Sequence, residues 1–375
     1  MDFDLSDDQR LLADSVTRLM ADRYGFEARK GYLKDPAGWG PAMWAHYAEL
    51  GLLGLPFAEE HGGYGGGPVD VMLVMQEFGR ALALEPYLAT VVLGGTALQL
   101  AGSAAQQASV LPAVAEGRVK LAFAHGEREA RYDLPFVRTT AKRSAGGWVL
   151  DGAKSVVFHG DSADRLVVSA RVAGDDADPE GIGLFLVDAD AAGLARRGYT
   201  LRDETRAAEI ALHDVAAEPL GEPGAAFPVI TRVVEAGIAA MGAEAVGAME
   251  AMHAMTLEYS RTREQFGKPI GANQVVQHRL AEMLMSMEQG RSMAMLAAMS
   301  VTEPDAAERA RSIAMAKVGY GQAARFVSQQ TIQLHGGIGM TEEYAAGHFF
   351  RRCLVIEHSF GDTAYHLARL ADEVE

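Results

Sequence analysis

Three stretches of this chain combine residue types and spacings that could hold a phosphate-bearing ligand. The densest is Tyr259-Ser-Arg-Thr-Arg-Glu-Gln-Phe-Gly-Lys-Pro-Ile-Gly-Ala-Asn-Gln274. Arg261, Arg263 and Lys268 concentrate positive charge there, and a planar guanidinium pairs two-pronged with phosphate. The second is Gln333-Leu-His-Gly-Gly-Ile-Gly339, where Gly336 and Gly337 let backbone approach a ligand closely. The third is Glu60-His-Gly-Gly-Tyr-Gly-Gly-Gly67. It has no Walker lysine and follows no clear strand, so a flexible loop before a helix opened by Pro68 describes it better. The first two also have plain readings, as a helix–helix corner with a solvated basic rim and as a glycine C-cap.

Helices must position these stretches. Apolar-periodic segments run from Phe227 to Ser260, Asn273 to Met299, Asp305 to Leu334, and Thr341 to Ala371, the last broken near Gly361. Pro269 cannot continue the incoming helix, Gly267 suits a helix stop, and Asn273 can cap the outgoing helix. Short connections between long helices imply antiparallel neighbours in a bundle. Nearer the N-terminus, Ser6-Asp-Asp-Gln9 has the form of a capping box. Helices follow around Met43 to Leu50, after Pro68, from Tyr87 to Leu100 and from Ala104 to Glu116.

The period changes at Lys120. Leu121 to Ala124, Trp148 to Leu150, Val156 to Phe158, Leu166 to Ala170, Gly183 to Val187, and Ala208 to Leu212 read as strands. Asp151-Gly152 reads as a two-residue hairpin turn. Many short strands with turns between them predict a small antiparallel barrel or sandwich. The organisation is therefore mainly α with a middle β-barrel, with expected domains at 1–118, 119–224 and 225–375.

Acidic residues outnumber basic ones, 50 to 34, for a net charge of −16. That argues against a nucleic-acid partner. Cys353 is the only cysteine, so no internal disulfide and no cysteine-based metal site can form. His125, His159, His335 and His358 have no metal-ligand spacing. The acidic N-terminus lacks a signal-peptide layout and no long apolar run suggests a membrane span, so the expected compartment is the cytoplasm.

Arg-x-x-Phe-Gly-x-Pro-Ile-x-x-x-Gln and Gln-Leu-His-Gly-Gly-Ile-Gly resemble the signatures of the acyl-CoA dehydrogenase family, and the likeness extends over the whole chain. It implies an N-terminal helical domain, an antiparallel β-barrel and a C-terminal four-helix bundle. It implies FAD and the α,β-dehydrogenation of an acyl-CoA thioester to the trans-2-enoyl-CoA, with electrons passed to an electron-transfer flavoprotein. In that family one subunit holds the flavin ring and substrate, while another reaches over to the pyrophosphate and adenine. By this resemblance Arg263 pairs with the pyrophosphate and Phe266 packs near the adenosine. Gln265, Asn273 and Gln274 lie alongside, and Gln333, Gly336 and Gly337 supply donors.

The ring-holding half departs from the family pattern. Ala122-Phe-Ala-His-Gly-Glu-Arg-Glu-Ala130 replaces a Thr-Glu-Pro segment. Val156 stands where a flavin-packing Trp is usual, and Phe158 where a Thr bonds the ring. The two usual base positions are Phe360 and Gly237. Glu235, Glu244 and Asp362 lie near them and read better as structural or solvated carboxylates. No catalytic base is assigned. Asp-Arg-Tyr-Gly-Phe-Glu-Ala-Arg-Lys, Ala-Leu-Ala-Leu-Glu-Pro-Tyr-Leu-Ala-Thr, and Phe360-Gly-Asp resemble the subgroup of the pimeloyl-CoA dehydrogenase small subunit. This favours a subunit of a heterotetramer with a large subunit. The other readings are a homodimeric or tetrameric enzyme with a relocated base, and a non-enzymatic scaffold.

Overall fold

Ser6 Oγ accepts a hydrogen bond from the Gln9 backbone, and the Gln9 side chain accepts one from the Ser6 backbone. That reciprocal cap opens α1 (Asp7–Arg23) in this computed structural model, which describes residues 5–144 and 146–372. Next come α2 (Phe26–Tyr32), α3 (Pro41–Glu49) and α4 (Pro68–Ala81), the last opened by its proline. The helix expected from Tyr87 is wound as a π-helix over Leu88–Gly95 before continuing as α5 (Thr96–Ala101). A second capping box at Ser103 opens α6 (Ala104–Ala115).

Seven strands build the middle of the chain: β1 (Leu121–Ala124), β2 (Thr140–Ser144), β3 (Gly147–Phe158), β4 (Arg165–Arg171), β5 (Ile182–Asp188), β6 (Leu194–Thr200) and β7 (Arg206–Leu220). The order β4-β2-β3-β7-β5 returns to β4 and closes a barrel. Its core includes Leu150, Leu166, Val168, Phe185, Ile210 and Leu212. The long β7 serves β6 with its first half and β5 with its last residues.

Three expectations need correction. The barrel is not wholly antiparallel, because β1 runs parallel to β4. A long excursion through β2 and β3 separates these strands, which is the connection that parallel pairing requires. Asp151-Gly152 is not a hairpin turn: β3 runs straight through it, with a bulge against β7. Gly152 has φ 149 there, and a Cβ would meet the Thr139 backbone at 2.6 Å. The last register pair of the antiparallel β2 and β3 is instead Ser144 with Gly147. Sequence reading also missed β2 and β6, whose side chains are largely exposed.

The last third holds α7 (Phe227–Thr262), α8 (Gln274–Ser300), α9 (Ala306–His335), α10 (Ala345–His358) and α11 (Thr363–Asp372). Between α7 and α8 lie two short strands, β8 (Glu264–Gln265) and β9 (Lys268–Pro269). Helices α8, α10 and α11 all pack on α9. The chain thus runs as an N-terminal helical domain, a middle β-barrel and a C-terminal helical domain. By spatial contact it forms two compact units. One takes the chain up to Gly31, Pro68–Ala83 and the chain from Ile238; the other takes Tyr32–Gly67 and Leu84–Gly237. No helix among the described residues is long and apolar enough to cross a membrane.

Candidate functional site

Helix α7 stops at Thr262, and the chain then makes a miniature hairpin rather than a plain corner. Gln265 pairs with Lys268 across a two-residue turn. Both turn residues are left-handed, Phe266 at φ 55 and Gly267 at φ 78, the mark of a type I′ turn. For an L-residue such as Phe266 this conformation costs roughly 1–2 kcal/mol. Nothing among the described residues offsets it, because Phe266 is 100% exposed at the tip. Arg263 is exposed at the base, and no carboxylate pairs with it among the described residues. Gln265 turns back on its own backbone, donating to the Glu264 carbonyl at 2.7 Å.

Asn273 occupies the N-cap position of α8, but its side chain does not cap as expected. Its Nδ2 donates to the Ile270 carbonyl at 3.0 Å, closing the entry turn. Gln274 follows, exposed. At the far end of α9, Gln333, Gly336 and Gly337 are also exposed. Gly336 takes φ 65 and ψ −140, a conformation that only glycine adopts readily. A Cβ on Gly337 would meet nothing within 4 Å, so no internal packing calls for a glycine there.

The structure brings these stretches to one end of the bundle. Arg279 of α8 donates to Gln330 of α9 at 2.7 Å. The Tyr259 ring, in the last turn of α7, stacks on the His335 ring at 4.5 Å between centroids. The glycine-rich loop before α4 is different. The amides of Gly62, Gly63, Gly65 and Gly66 are bonded to Glu59, Ala58, Phe57 and Leu55 carbonyls, so they are unavailable to a phosphate.

In the barrel, Lys154 Nζ is fully buried and donates to Glu127 (2.7 Å), Ser169 Oγ (3.0 Å) and the His125 carbonyl (3.1 Å). Burial pulls the ammonium down to about 8, which still leaves it charged at neutral pH. Burial would raise Glu127, but the Lys154 charge and hydrogen bonds from Lys154, Thr139 and Arg138 hold its carboxyl below the ordinary value. Burial, helped by the Lys154 charge, takes His125 down to about 3. The neutral ring then accepts from Ser169 Oγ at 2.9 Å. This ionic lock braces the end of β1 against β3 and β4. Two residues beyond Lys154, Val156 sits at φ 52 and is half exposed. A β-branched residue in that region is a strained outlier.

The three candidate carboxylates are placed differently. Glu244 is buried and held two-pronged by Arg352, at 2.6 and 2.7 Å. Asp362 caps α11 by accepting from the Tyr365 backbone at 2.9 Å. Glu235 is buried in α7. The usual base position, Phe360, lies in the break between α10 and α11, and buried His366 donates to its carbonyl at 2.9 Å.

A helical domain, a β-barrel and a second helical domain in that order, with an exposed Arg-Phe hairpin and a Gly-Gly helix end, are the features that the resemblance to acyl-CoA dehydrogenases leads one to expect. The chain matches the N-terminal domain of acyl-CoA dehydrogenases over residues 6–118, the middle domain over 122–215 and the C-terminal domain over 227–375. It is 30% identical over 380 residues to the probable acyl-CoA dehydrogenase YngJ of Bacillus subtilis, covering 99% of this chain and 98% of that one. Among solved structures it resembles a variant of the Tcur3481-Tcur3483 steroid ACAD, with TM-score 0.89, 28% identity and 98% of each chain covered. It also resembles butyryl-CoA dehydrogenase from Megasphaera elsdenii, with TM-score 0.91, 25% identity and all of both chains covered. The chain belongs to the acyl-CoA dehydrogenase family, whose cofactor is FAD.

The residues fit that cofactor unevenly. The exposed Arg263, the Phe266 face and the open backbone at Gly336 and Gly337 suit a pyrophosphate and adenosine. Val156 and Phe158 offer a flavin ring no side-chain hydrogen-bond donor.

Proposed function

We propose that this chain is the subunit of an acyl-CoA dehydrogenase that completes an FAD site whose ring and catalytic base belong to another subunit. The observation that carries the reading is Phe266, a strained and fully exposed aromatic beside an unpaired arginine. A surface without a partner would not sustain that combination. Further exposed apolar side chains, Val275, Ile338 and Met340, flank the same stretches and support coverage by a second chain. When bound, FAD supplies the hydride-accepting chemistry that converts an acyl-CoA thioester to its 2-enoyl form. Arg263 neutralises pyrophosphate charge, Phe266 gives the adenosine an apolar face, and Gln274, Gln333 and the Gly336–Gly337 backbone offer polar contacts alongside.

The ring half supports the same assignment by its losses. Seating a ring against Phe158 forgoes a hydrogen bond of roughly 1 kcal/mol and repacks that side chain at ~1–3 kcal/mol. Together these weaken binding by about one to three decades. The steroid ACAD relative bears the joint designation Tcur3481-Tcur3483, which favours a heteromer here too. The assembly is a dimer or heterotetramer with a large subunit, electrons leave to an electron-transfer flavoprotein, and domain limits fall near residues 118 and 224. The substrate is an acyl-CoA, with a dicarboxylyl-CoA such as pimeloyl-CoA favoured by the subgroup resemblance. Arg263→Ala in the reconstituted assembly tests the reading. FAD affinity should fall about tenfold or more, as expected for a charge-assisted pair, and an unchanged affinity would overturn it.

A further inference from the structure

Three aromatic side chains underlie the phosphate-facing stretches, and the proposed function uses none of them directly. Tyr259 and His335 stack at 4.5 Å with 27° between their planes. Tyr344 lies 5.0 Å from the His335 ring, and its hydroxyl is 3.1 Å from His335 Nε2. His335 Nδ1 is 2.8 Å from the Thr331 carbonyl. A carbonyl only accepts, so Nδ1 carries the proton. Burial lowers the basicity of His335 and keeps the ring neutral, so Nε2 accepts from the Tyr344 hydroxyl. Both ring nitrogens are thereby satisfied in one tautomer and one orientation. The Tyr259 hydroxyl also reaches the His335 carbonyl at 3.4 Å.

The consequence lies in the neighbours along the chain. The Tyr259 carbonyl accepts the Arg263 backbone N–H at 2.8 Å, so Tyr259 carries the turn from which Arg263 and the hairpin project. His335 directly precedes Gly336 and Gly337. A buried histidine satisfied on both nitrogens fixes geometry more strictly than an apolar residue of similar size, because any displacement breaks a hydrogen bond as well as a contact. We propose that Tyr259, His335 and Tyr344 form a clamp that sets the distance between the Arg263 hairpin and the Gly336–Gly337 backbone. His335 is its central positioning residue, and the clamp determines how tightly this chain grips the pyrophosphate and adenosine of FAD. The inference rests on the functional reading above.

The test compares FAD with FMN, which shares the ring and one phosphate but lacks the adenylate. Each is titrated into the flavin-free assembly carrying wild-type chain, His335→Ala, Tyr344→Phe or Arg263→Ala. His335→Ala loses a stack and two hydrogen bonds, and FAD affinity should fall about tenfold or more. Tyr344→Phe loses one hydroxyl and should weaken FAD about fivefold, while the melting temperature falls by no more than about 4 °C. It also keeps the test open where His335→Ala fails to fold. FMN affinity should stay within about twofold in both variants. Hydrogen exchange of residues 263–270 in the flavin-free chain should quicken in His335→Ala. The clamp is overturned if Arg263→Ala weakens FAD while the clamp variants bind it as wild type does. It is equally overturned if FAD and FMN weaken in parallel. An Arg263→Ala assembly that retains full FAD affinity overturns the functional reading and the clamp with it.

Discussion

The Glu244 carboxylate is held by the Arg352 guanidinium through two hydrogen bonds, 2.6 and 2.7 Å long, with both side chains buried. A carboxylate so engaged has both oxygens committed to the guanidinium, and parting the two leaves a charge uncompensated in a dry interior. Glu244 is therefore expected to brace the helix bundle and not to act as the base. Glu244→Gln should leave Arg352 charged and half-satisfied, lowering stability by about 3–5 kcal/mol. Urea unfolding measures the loss. Turnover per folded assembly should stay within a few-fold of wild type, and a folded but inactive variant would make Glu244 the base.

Phe266 makes a contrasting prediction. The side chain is fully exposed among the described residues, and its backbone is left-handed. Phe266→Gly should relieve that strain and leave the melting temperature of the isolated chain equal or slightly higher. In the assembly the same change should weaken FAD about tenfold, the scale of a lost aromatic contact. Calorimetry and flavin titration together separate the two effects.

Lys317 gives the stability a slope with pH. Its ammonium is buried, donates to the Ile356 carbonyl at 2.6 Å, and is pulled down to about 7 by burial, against the pull of Glu357 and Asp362. Below pH 7 the group is charged in both states and the burial cost is fully present. Between pH 7 and the unfolded value of 10.5 the unfolded chain holds a proton that the folded chain has released, so stability rises with pH. The Cys353 thiol, pushed up to about 12 by burial, opposes this above its ordinary value of 9.0. From pH 7 to 9 the wild-type chain should therefore gain about 1.4 kcal/mol per pH unit from Lys317. Lys317→Met should remove that component in urea unfolding at pH 7, 8 and 9.

Acid acts on two histidines in the opposite window. Burial takes His366 down to about 4 and His125 down to about 3. As pH falls below 6.5 the unfolded chain binds protons that the folded chain refuses, so stability drops. His366→Leu should flatten the loss between pH 6.5 and 4, measured by chemical unfolding across that range.

Local signals made much of the fold legible. The capping box at Ser6, the proline start of α4 and the break at Gly361 each follow from one or two residues acting on their own backbone. The strands β2 and β6 gave no such signal, because charged and exposed residues such as Lys142, Arg143, Arg196 and Arg197 blur the alternation. Asp151-Gly152 has turn chemistry, but pairing along β7 overrides it and absorbs the glycine as a bulge. At the site, the stop after α7 was readable while the hairpin was not, since Phe266 is an unusual occupant of a type I′ turn. The Tyr259, His335 and Tyr344 cluster joins segments distant in sequence, and only the packing of α7 against the end of α9 discloses it.

The most direct measurement is the FAD content per chain of the protein purified alone and co-purified with a candidate acyl-CoA dehydrogenase large subunit. Acyl-CoA-dependent dye reduction would be read on the same samples. The chain alone should carry little FAD and show no turnover, whereas the pair should hold FAD tightly and reduce the dye. One FAD per chain with turnover in the isolated protein would contradict the account and establish a self-sufficient homomeric dehydrogenase.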